Sequence, residues 1–185
     1  MHVKILKYSG WDVANYCARK TQNPEAKFIE GKEPSLDFKK RLLLSDHSPL
    51  REVRLLIEMD LMNKTQNHVV RHNVGVQWFV STLRSDIVDS DDLKVHRQTE
   101  RSLAFSINLS ALVGIIRKRT CRVSEDATVR LFQKLTEKVI KLDPKLFGKG
   151  FLYAKCSSCN ESFNNCRGER MDINIVNSIL GVEGE

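Results

Sequence analysis

The sequence contains none of the glycine loops that commonly cradle phosphates. Neither G-x-G-x-x-G nor G-x-x-x-x-G-K-[ST] occurs in its 185 residues, so a nucleotide bound here is not held by a glycine-rich turn at a helix N-terminus. G-x-S-x-G and H-E-x-x-H are missing too, which removes the nucleophile-elbow hydrolases and the zincin metalloproteases. No apolar run approaches the roughly 20 residues that span a bilayer, and no membrane partner is expected. The opening MHVKILKYSGWD lacks an apolar signal core followed by a small-residue cleavage site, so the expected location is cytoplasmic. The length excludes a two-domain dehydrogenase or a full-size barrel enzyme, yet it suffices for one real core.

Cysteine is sparse and odd in number, five in all, and without a secretory signal no disulfide framework is expected. Cys17 and Cys121 lie among apolar or helical residues and read as small buried side chains. Cys156, Cys159 and Cys166 put three soft ligands into one short segment, a spacing that suits structural Zn²⁺. A closed zinc site wants a fourth ligand, which would be Cys121, Cys17 or a residue of another subunit. A redox pair or free thiols are the competing readings.

What is present is positive charge, unevenly placed. The net charge is +7, yet residues 61–84 hold Lys64, Arg71 and Arg84 and no acid, and residues 101–122 hold Arg101, Arg117, Lys118, Arg119 and Arg122, again with no acid. Acid-free basic surface focuses anions such as phosphates. A nucleic-acid coat would interleave aromatics with these charges; only Trp78, Phe79 and Phe105 do so, and no nucleic-acid partner is expected.

The patterning predicts an α+β chain: a compact single domain with an antiparallel or mixed sheet and long helices. Residues 2–8 read as a strand, Ser9-Gly10 as a turn, residues 11–20 as a helix and residues 21–34 as a loop. Ser35 caps a helix running through Leu44, and Asp46-His47-Ser48-Pro49 breaks it. Val53, Leu55, Ile57, Met59 and Leu61 recur with a period of two, a strand with one buried face. Residues 62–72 read as a polar helix or turn. Residues 102–118 spread Leu103, Phe105, Ile107, Leu109, Leu112, Val113, Ile115 and Ile116 around much of one deeply buried helix. Ser124 caps a further helix with the stripe Val129, Phe132, Leu135 and Val139, ended by Asp143-Pro144. Residues 1–167 form the expected domain and residues 168–185 a C-terminal extension.

The polar residues gather in clusters. Asn67-His68-Val69-Val70-Arg71-His72-Asn73, followed by Ser81 and Arg84, places arginines able to form paired hydrogen bonds beside an imidazole that can donate. Asn108 falls eleven residues before Arg119, nearly on one face of the expected helix and about 16 Å away along its axis. An Asn amid apolar neighbours needs a partner, a ligand or a neighbouring backbone, the backbone being the simpler choice. His47 and Ser48 stand at the mouth of the alternating strand. Ser81 has no His/Asp partner at triad spacing, which favours binding over nucleophilic catalysis.

Together these clusters resemble the flavin-dependent thymidylate synthases. That family carries Arg-His-Arg, seven residues, then Ser; this chain reads Arg71-His72-Asn73, seven residues, Ser81. DHSPLREVRLLIEMDL is similar to the family's His-Ser/Thr-Pro segment leading into a strand, and NLSALVGIIRKR to its helix with an Asn and, eleven residues on, an Arg. The three blocks agree in order and spacing over about residues 40–142, most closely with the short bacterial and phage-type members.

The resemblance implies methylation of dUMP to dTMP, with methylene-tetrahydrofolate giving the carbon and FAD, recharged by NADPH, giving the hydride. It also implies a homotetramer with shared active sites. Under it, His47, Arg71, His72, Asn73 and Asn108 bind the flavin; Ser81, Arg84 and Gln77 bind the nucleotide; and Arg119 grips the uracil ring, acting with Ser81 as the catalytic pair. The chain departs from the pattern at Asn73, which replaces the second motif Arg; at Phe79, which replaces an acid whose hydrogen bond would pass to Gln77; and at Gly114, which replaces a second flavin-side Asn. A catalytically altered or inactive nucleotide-binding relative, or a pyrimidine-nucleotide hydroxymethylase, is the alternative, with a basic nucleic-acid-binding protein behind it.

Overall fold

The structure, a computed structural model, describes residues 2–62, 66, 70, 74–80, 100–119 and 126–148. Alternation builds its sheet. In β2 (Arg54–Met62) the side chains of Leu55, Ile57, Met59 and Leu61 are all buried, while Arg54, Leu56, Glu58 and Asp60 on the other face are partly exposed. β1 (Val3–Ser9) lies on one side of β2 and β4 (Glu100–Asn108) on the other, with β3 (Val76–Val80) outside β4. Every pairing is antiparallel. Register puts Leu103, Phe105 and Ile107 opposite Met59, Ile57 and Leu55, so one face of the sheet is apolar across its strands. In β1 the register shifts between Ile5 and Lys7; this bulge keeps Tyr8 on the same face as Val3 and Ile5.

Helices cover that face. α1 (Trp11–Lys20) buries Trp11, Ala14, Asn15 and Ala18, which recur at helical spacing. It starts at Gly10, where φ is 102° and an added Cβ would lie 2.2 Å from the Glu52 carbonyl oxygen, so this corner closes only over glycine. The segment after α1 is laced to it: Asn15 Nδ2 donates to Lys32 O at 2.8 Å, Arg19 Nη2 to Lys27 O at 2.8 Å, and the Gly31 N–H to Asp12 Oδ2 at 3.1 Å. The N–H groups of Gly31 and Val13 hold the Asp12 carboxyl below the usual carboxylate range.

α2 (Leu36–Leu44) opens on Ser35, whose side chain accepts from the Phe38 N–H at 3.3 Å, the cap its sequence predicts. Its buried Lys39 stands 4.9 Å from the Trp11 ring centroid and pairs with Glu33 at 2.6 Å. A single 3₁₀ turn (Ser48–Arg51) then leads into β2. α3 (Leu109–Arg119) follows β4 directly, and α4 (Asp126–Leu142) packs against α3 and β1. α4 buries Thr128, Leu131, Phe132, Leu135, Thr136 and Val139, while Val129 is only partly buried. The stripe is therefore wider than expected and turned slightly from Val129. The Thr136 hydroxyl sits inside it because it donates to the Phe132 carbonyl at 2.6 Å. Beyond α4, Leu146 and Phe147 complete the core, and burial pushes the Tyr8 phenol, beside Phe147, well up.

The α+β class and the antiparallel sheet agree with the expectation. Two elements differ, the first being β3, since no strand was expected at Val76–Val80. Residues 102–118 are not one helix: β4 runs to Asn108 and the helix begins at Leu109. Ser102, Ala104 and Ser106 alternate with Leu103, Phe105 and Ile107, a period of two that the joined window concealed. The apparent all-round hydrophobicity came from adding a strand face to a helix that itself buries Leu109, Leu112, Val113, Ile115 and Ile116. Cys17 is half-buried rather than buried, and burial, helped by the charge on Glu52, pushes its thiol up. Most of residues 62–72, the boundary at 167/168, Cys121 and Ser124 lie outside the described residues.

The register makes a sharp expectation. Ile57→Ala, at a fully buried position, should cost about 2–5 kcal/mol. Glu58→Ala, on the opposite face, should cost less than about 1 kcal/mol. Urea denaturation midpoints compare the two, and similar losses would mean that the strand is out of register.

Candidate functional site

One candidate residue stands where β4 becomes α3. Asn108, the last residue of β4, is 8% exposed. Its backbone N–H donates to Gly75 O at 3.1 Å and its side-chain Oδ1 accepts from the Ala111 N–H at 2.8 Å. Asn108 is thus the N-cap of α3 and not a residue on its face, a correction of the sequence expectation. The reason is that an amide side chain satisfies an otherwise orphaned helix N–H better than it fits the apolar helix interior. A neighbouring backbone supplies its partner, the simpler of the two choices open in the sequence. The next N–H, that of Leu109, donates to Val53 O at 2.8 Å and ties the helix start to the mouth of β2.

Gly75 closes the other side of this junction. Its backbone is left-handed (φ 75°), and a Cβ there would lie 2.4 Å from Asn108 Nδ2 and 3.0 Å from the Ala111 Cβ. The backbone entering β3 at Gly75 is therefore pressed against the Asn108 carboxamide. Sequence reasoning passed over Gly75, although an isolated Gly ahead of an apolar strand is a signal of close backbone approach. One residue pair further along β3, Gln77 is exposed and opposite Ser106, and Trp78 stacks on Phe105 with ring centroids 4.8 Å apart.

His47 approaches from α2. It is exposed, and its backbone is pinned: its N–H donates to Leu42 O at 3.1 Å and its carbonyl accepts from the Leu50 N–H at 3.0 Å. The preceding Asp46 reaches α3, its Oδ1 accepting from Ser110 Oγ at 2.6 Å. Asp46 and Ser110 line a small cavity of about 40 Å³ together with Leu43, Leu50, Val113 and Gly114. Neither was singled out in the sequence, since only the folded chain brings positions 46 and 110 together. An added Cβ at Gly114 meets nothing within 4 Å.

The structure places Asn108 at the start of α3, Gln77 opposite Ser106 on β3, and His47 next to the Asp46 that bonds Ser110. Arg119, half-buried, is the last residue of α3 and stands about 16 Å further along by helix rise. Arg71, His72, Asn73, Ser81, Arg84, Cys156, Cys159 and Cys166 lie outside the described residues. Among the described residues no three His, Cys, Asp or Glu side chains group as a metal site, and no helix is long and apolar enough to cross a membrane.

The start of α3 is a poor seat for a phosphate. Two of its free N–H groups, those of Leu109 and Ala111, already have protein acceptors, and the Asp46 carboxylate stands beside its first turn. The Asn108 Nδ2 donor group lies on the side facing Gly75. Among the described residues, the Asn108 carboxamide and the exposed His47 are groups that could hold a polar ring.

The chain matches no family model and no curated protein by sequence. Its fold, however, is that of solved flavin-dependent thymidylate synthases. A crystal structure of such an enzyme from Helicobacter pylori, complexed with FAD and dUMP, superposes with a TM-score of 0.61 at 14% identity, covering 80% of this chain and 98% of that one. A second structure of the Helicobacter pylori enzyme with FAD and dUMP gives 0.61 at 15% identity over 83% of this chain and 100% of that one. A UMP/dUMP methylase from Streptomyces cacaoi, bound with 5-Br dUMP, gives 0.60 at 15% identity over 79% and 92%.

Two stability measurements test this geometry. Asn108→Ala should cost about 0.5–2 kcal/mol, and Asn108→Ser, which keeps a capping oxygen, should cost less. Gly114→Ala should instead stabilise by about 0.5–1 kcal/mol, since the helix gains and nothing is displaced. Thermal melts check both, and a destabilised Gly114→Ala would show that the space beside α3 is already filled.

Proposed function

We propose that this chain is a flavin-dependent thymidylate synthase, converting dUMP to dTMP with methylene-tetrahydrofolate as carbon donor and NADPH as reductant. One coincidence carries the reading. Three ordered sequence blocks resemble the same family whose fold this chain shares over nearly the whole length of its solved neighbours.

In this reading FAD, when bound, supplies the hydride. His47, Asn108, Arg71, His72 and Asn73 hold it, the arginine and histidine pairing with its phosphates. Ser81, Arg84 and Gln77 bind the nucleotide, with Arg84 on its phosphate. Arg119 binds the uracil ring. Carbon 5 of that ring is a weak nucleophile, and a guanidinium stabilising negative charge on the ring lowers the barrier to its attack. Ser81 orients the same ring. The assembly is a cytoplasmic homotetramer with shared sites, which lets a chain this short surround two large ligands.

Zinc at Cys156, Cys159 and Cys166 remains a separate proposal; less than about a tenth of an equivalent per chain in untagged protein would remove it.

Asn73 and Gly114 favour one second reading, in which a weaker flavin site leaves a relative with altered chemistry, a hydroxymethylase or a nucleotide binder without turnover. Purified protein should take up FAD with a change in visible absorbance, and dUMP should perturb that spectrum. Arg119→Ala should abolish dUMP binding while leaving FAD bound; equal loss of both ligands would count against the assigned role. Mass spectrometry of the product from dUMP, methylene-tetrahydrofolate and NADPH then separates methyl from hydroxymethyl transfer. Absence of any spectral response to FAD or dUMP at micromolar cofactor would end the enzyme reading.

A further inference from the structure

We propose that Asp46 is a positioning residue that sets where His47 stands relative to α3, acting through Ser110. The proposal deepens the flavin reading and rests on it for its functional consequence. Among the described residues Asp46 is the one non-glycine residue in the left-handed region, with φ 45°. It ends α2 in a double cap: the Asp46 N–H donates to Leu43 O at 3.4 Å and the His47 N–H to Leu42 O at 3.1 Å. Glycine ordinarily fills this position because a β-carbon is disfavoured there; Asp tolerates it better than most residues but still less well than glycine.

The cap itself gives no reason for a carboxylate. The reason lies 64 residues away, where Ser110 on the first turn of α3 donates to Asp46 Oδ1 at 2.6 Å. That bond crosses from the end of α2 to the same turn that Asn108 caps. Glycine at position 46 would keep the double cap and lose this tie. The 3₁₀ turn that follows keeps its own packing on α1 and α3, but the residue preceding His47 would no longer be held to the first turn of α3. Beside the tie, the cavity under Leu43, Leu50 and Gly114 leaves room for the α2 end to shift. A conformation less suited to the backbone is retained for the sake of a side-chain contact, the pattern expected where placement matters more than local stability.

Three variants separate placement from mere stabilisation. Asp46→Gly suits the backbone and removes the tie; Ser110→Ala removes its donor; Asp46→Asn keeps both an acceptor oxygen and tolerance of the left-handed region. Expected are an unchanged or raised Tm for Asp46→Gly together with at least a five-fold loss in FAD affinity. Ser110→Ala should show a similar loss of affinity, the double variant Asp46→Gly/Ser110→Ala no further loss, and Asp46→Asn near wild-type binding. In the absence of flavin, the His47 ring resonances in NMR spectra should move or broaden in Asp46→Gly and Ser110→Ala and stay in place in Asp46→Asn.

Unmoved His47 resonances in Asp46→Gly overturn the proposal, whatever happens to FAD affinity. So does a loss of affinity that merely tracks a lowered Tm. If the wild-type protein takes up no FAD, the flavin reading fails, and the His47 resonances alone then decide whether Asp46 positions this ring.

Discussion

The architecture around the candidate site depends on one peptide junction, between Asn108 and Leu109. There a strand buried on its apolar face turns into a helix without an intervening loop, and the backbone polar groups released by the change need partners at once. Three segments supply them. Gly75 takes the Asn108 N–H, Val53 takes the Leu109 N–H, and the Asn108 side chain takes the Ala111 N–H. Each bond contributes only about 0.5–1.5 kcal/mol net, but a buried N–H left without a partner costs about 1–3 kcal/mol. The asymmetry is what binds β2, β3 and α3 into one unit: none can withdraw without stranding a donor of another.

This junction draws segments remote in sequence together around the start of α3. Left-handed backbone occurs at two places beside it, at Gly75 and at Asp46. In the first, the absence of a β-carbon lets the backbone at Gly75 press against Asn108. In the second, a side chain is retained despite the conformation, because it reaches Ser110. Both devices fix distances between segments remote in sequence, which the hydrophobic core alone, tolerant of small slides between packed faces, does not fix so tightly.

Much of the fold was legible because its signals are local. The alternation at Val53, Leu55, Ile57, Met59 and Leu61, the Ser35 cap and the break at Asp46-His47-Ser48-Pro49 each depend on neighbours within a few residues, and the structure reproduces them. The junction was misread for the opposite reason. Leu103, Phe105 and Ile107 satisfy a strand, Leu109, Leu112, Val113 and Ile116 satisfy a helix, and no glycine or proline separates the two. The punctuating residue was Asn108 itself, read as a polar anomaly inside a helix when it was the helix's first boundary. Around the candidate site, motif spacing singles out Asn108, whereas the Asp46–Ser110 tie and the Gly75 approach leave no mark in that spacing. They are contacts across 64 and 33 positions, and nothing in either local segment announces the other.

The two ends of α3 consequently have different electrostatic tasks. At its start, free N–H groups are taken up by protein acceptors and an acid stands beside the first turn, so the helix's usual attraction for anions is already used internally. At its end come Arg117, Lys118 and Arg119, in a stretch without a single acid. Helix carbonyls at a C-terminus carry partial negative charge, which steadies a cation there and offsets part of its field. An arginine so placed is better matched to a polarisable ring, with modest developing charge, than to a phosphate dianion. In the proposed reading, phosphates fall to the other acid-free stretch, which holds Lys64, Arg71 and Arg84, and the end of α3 serves the bound base.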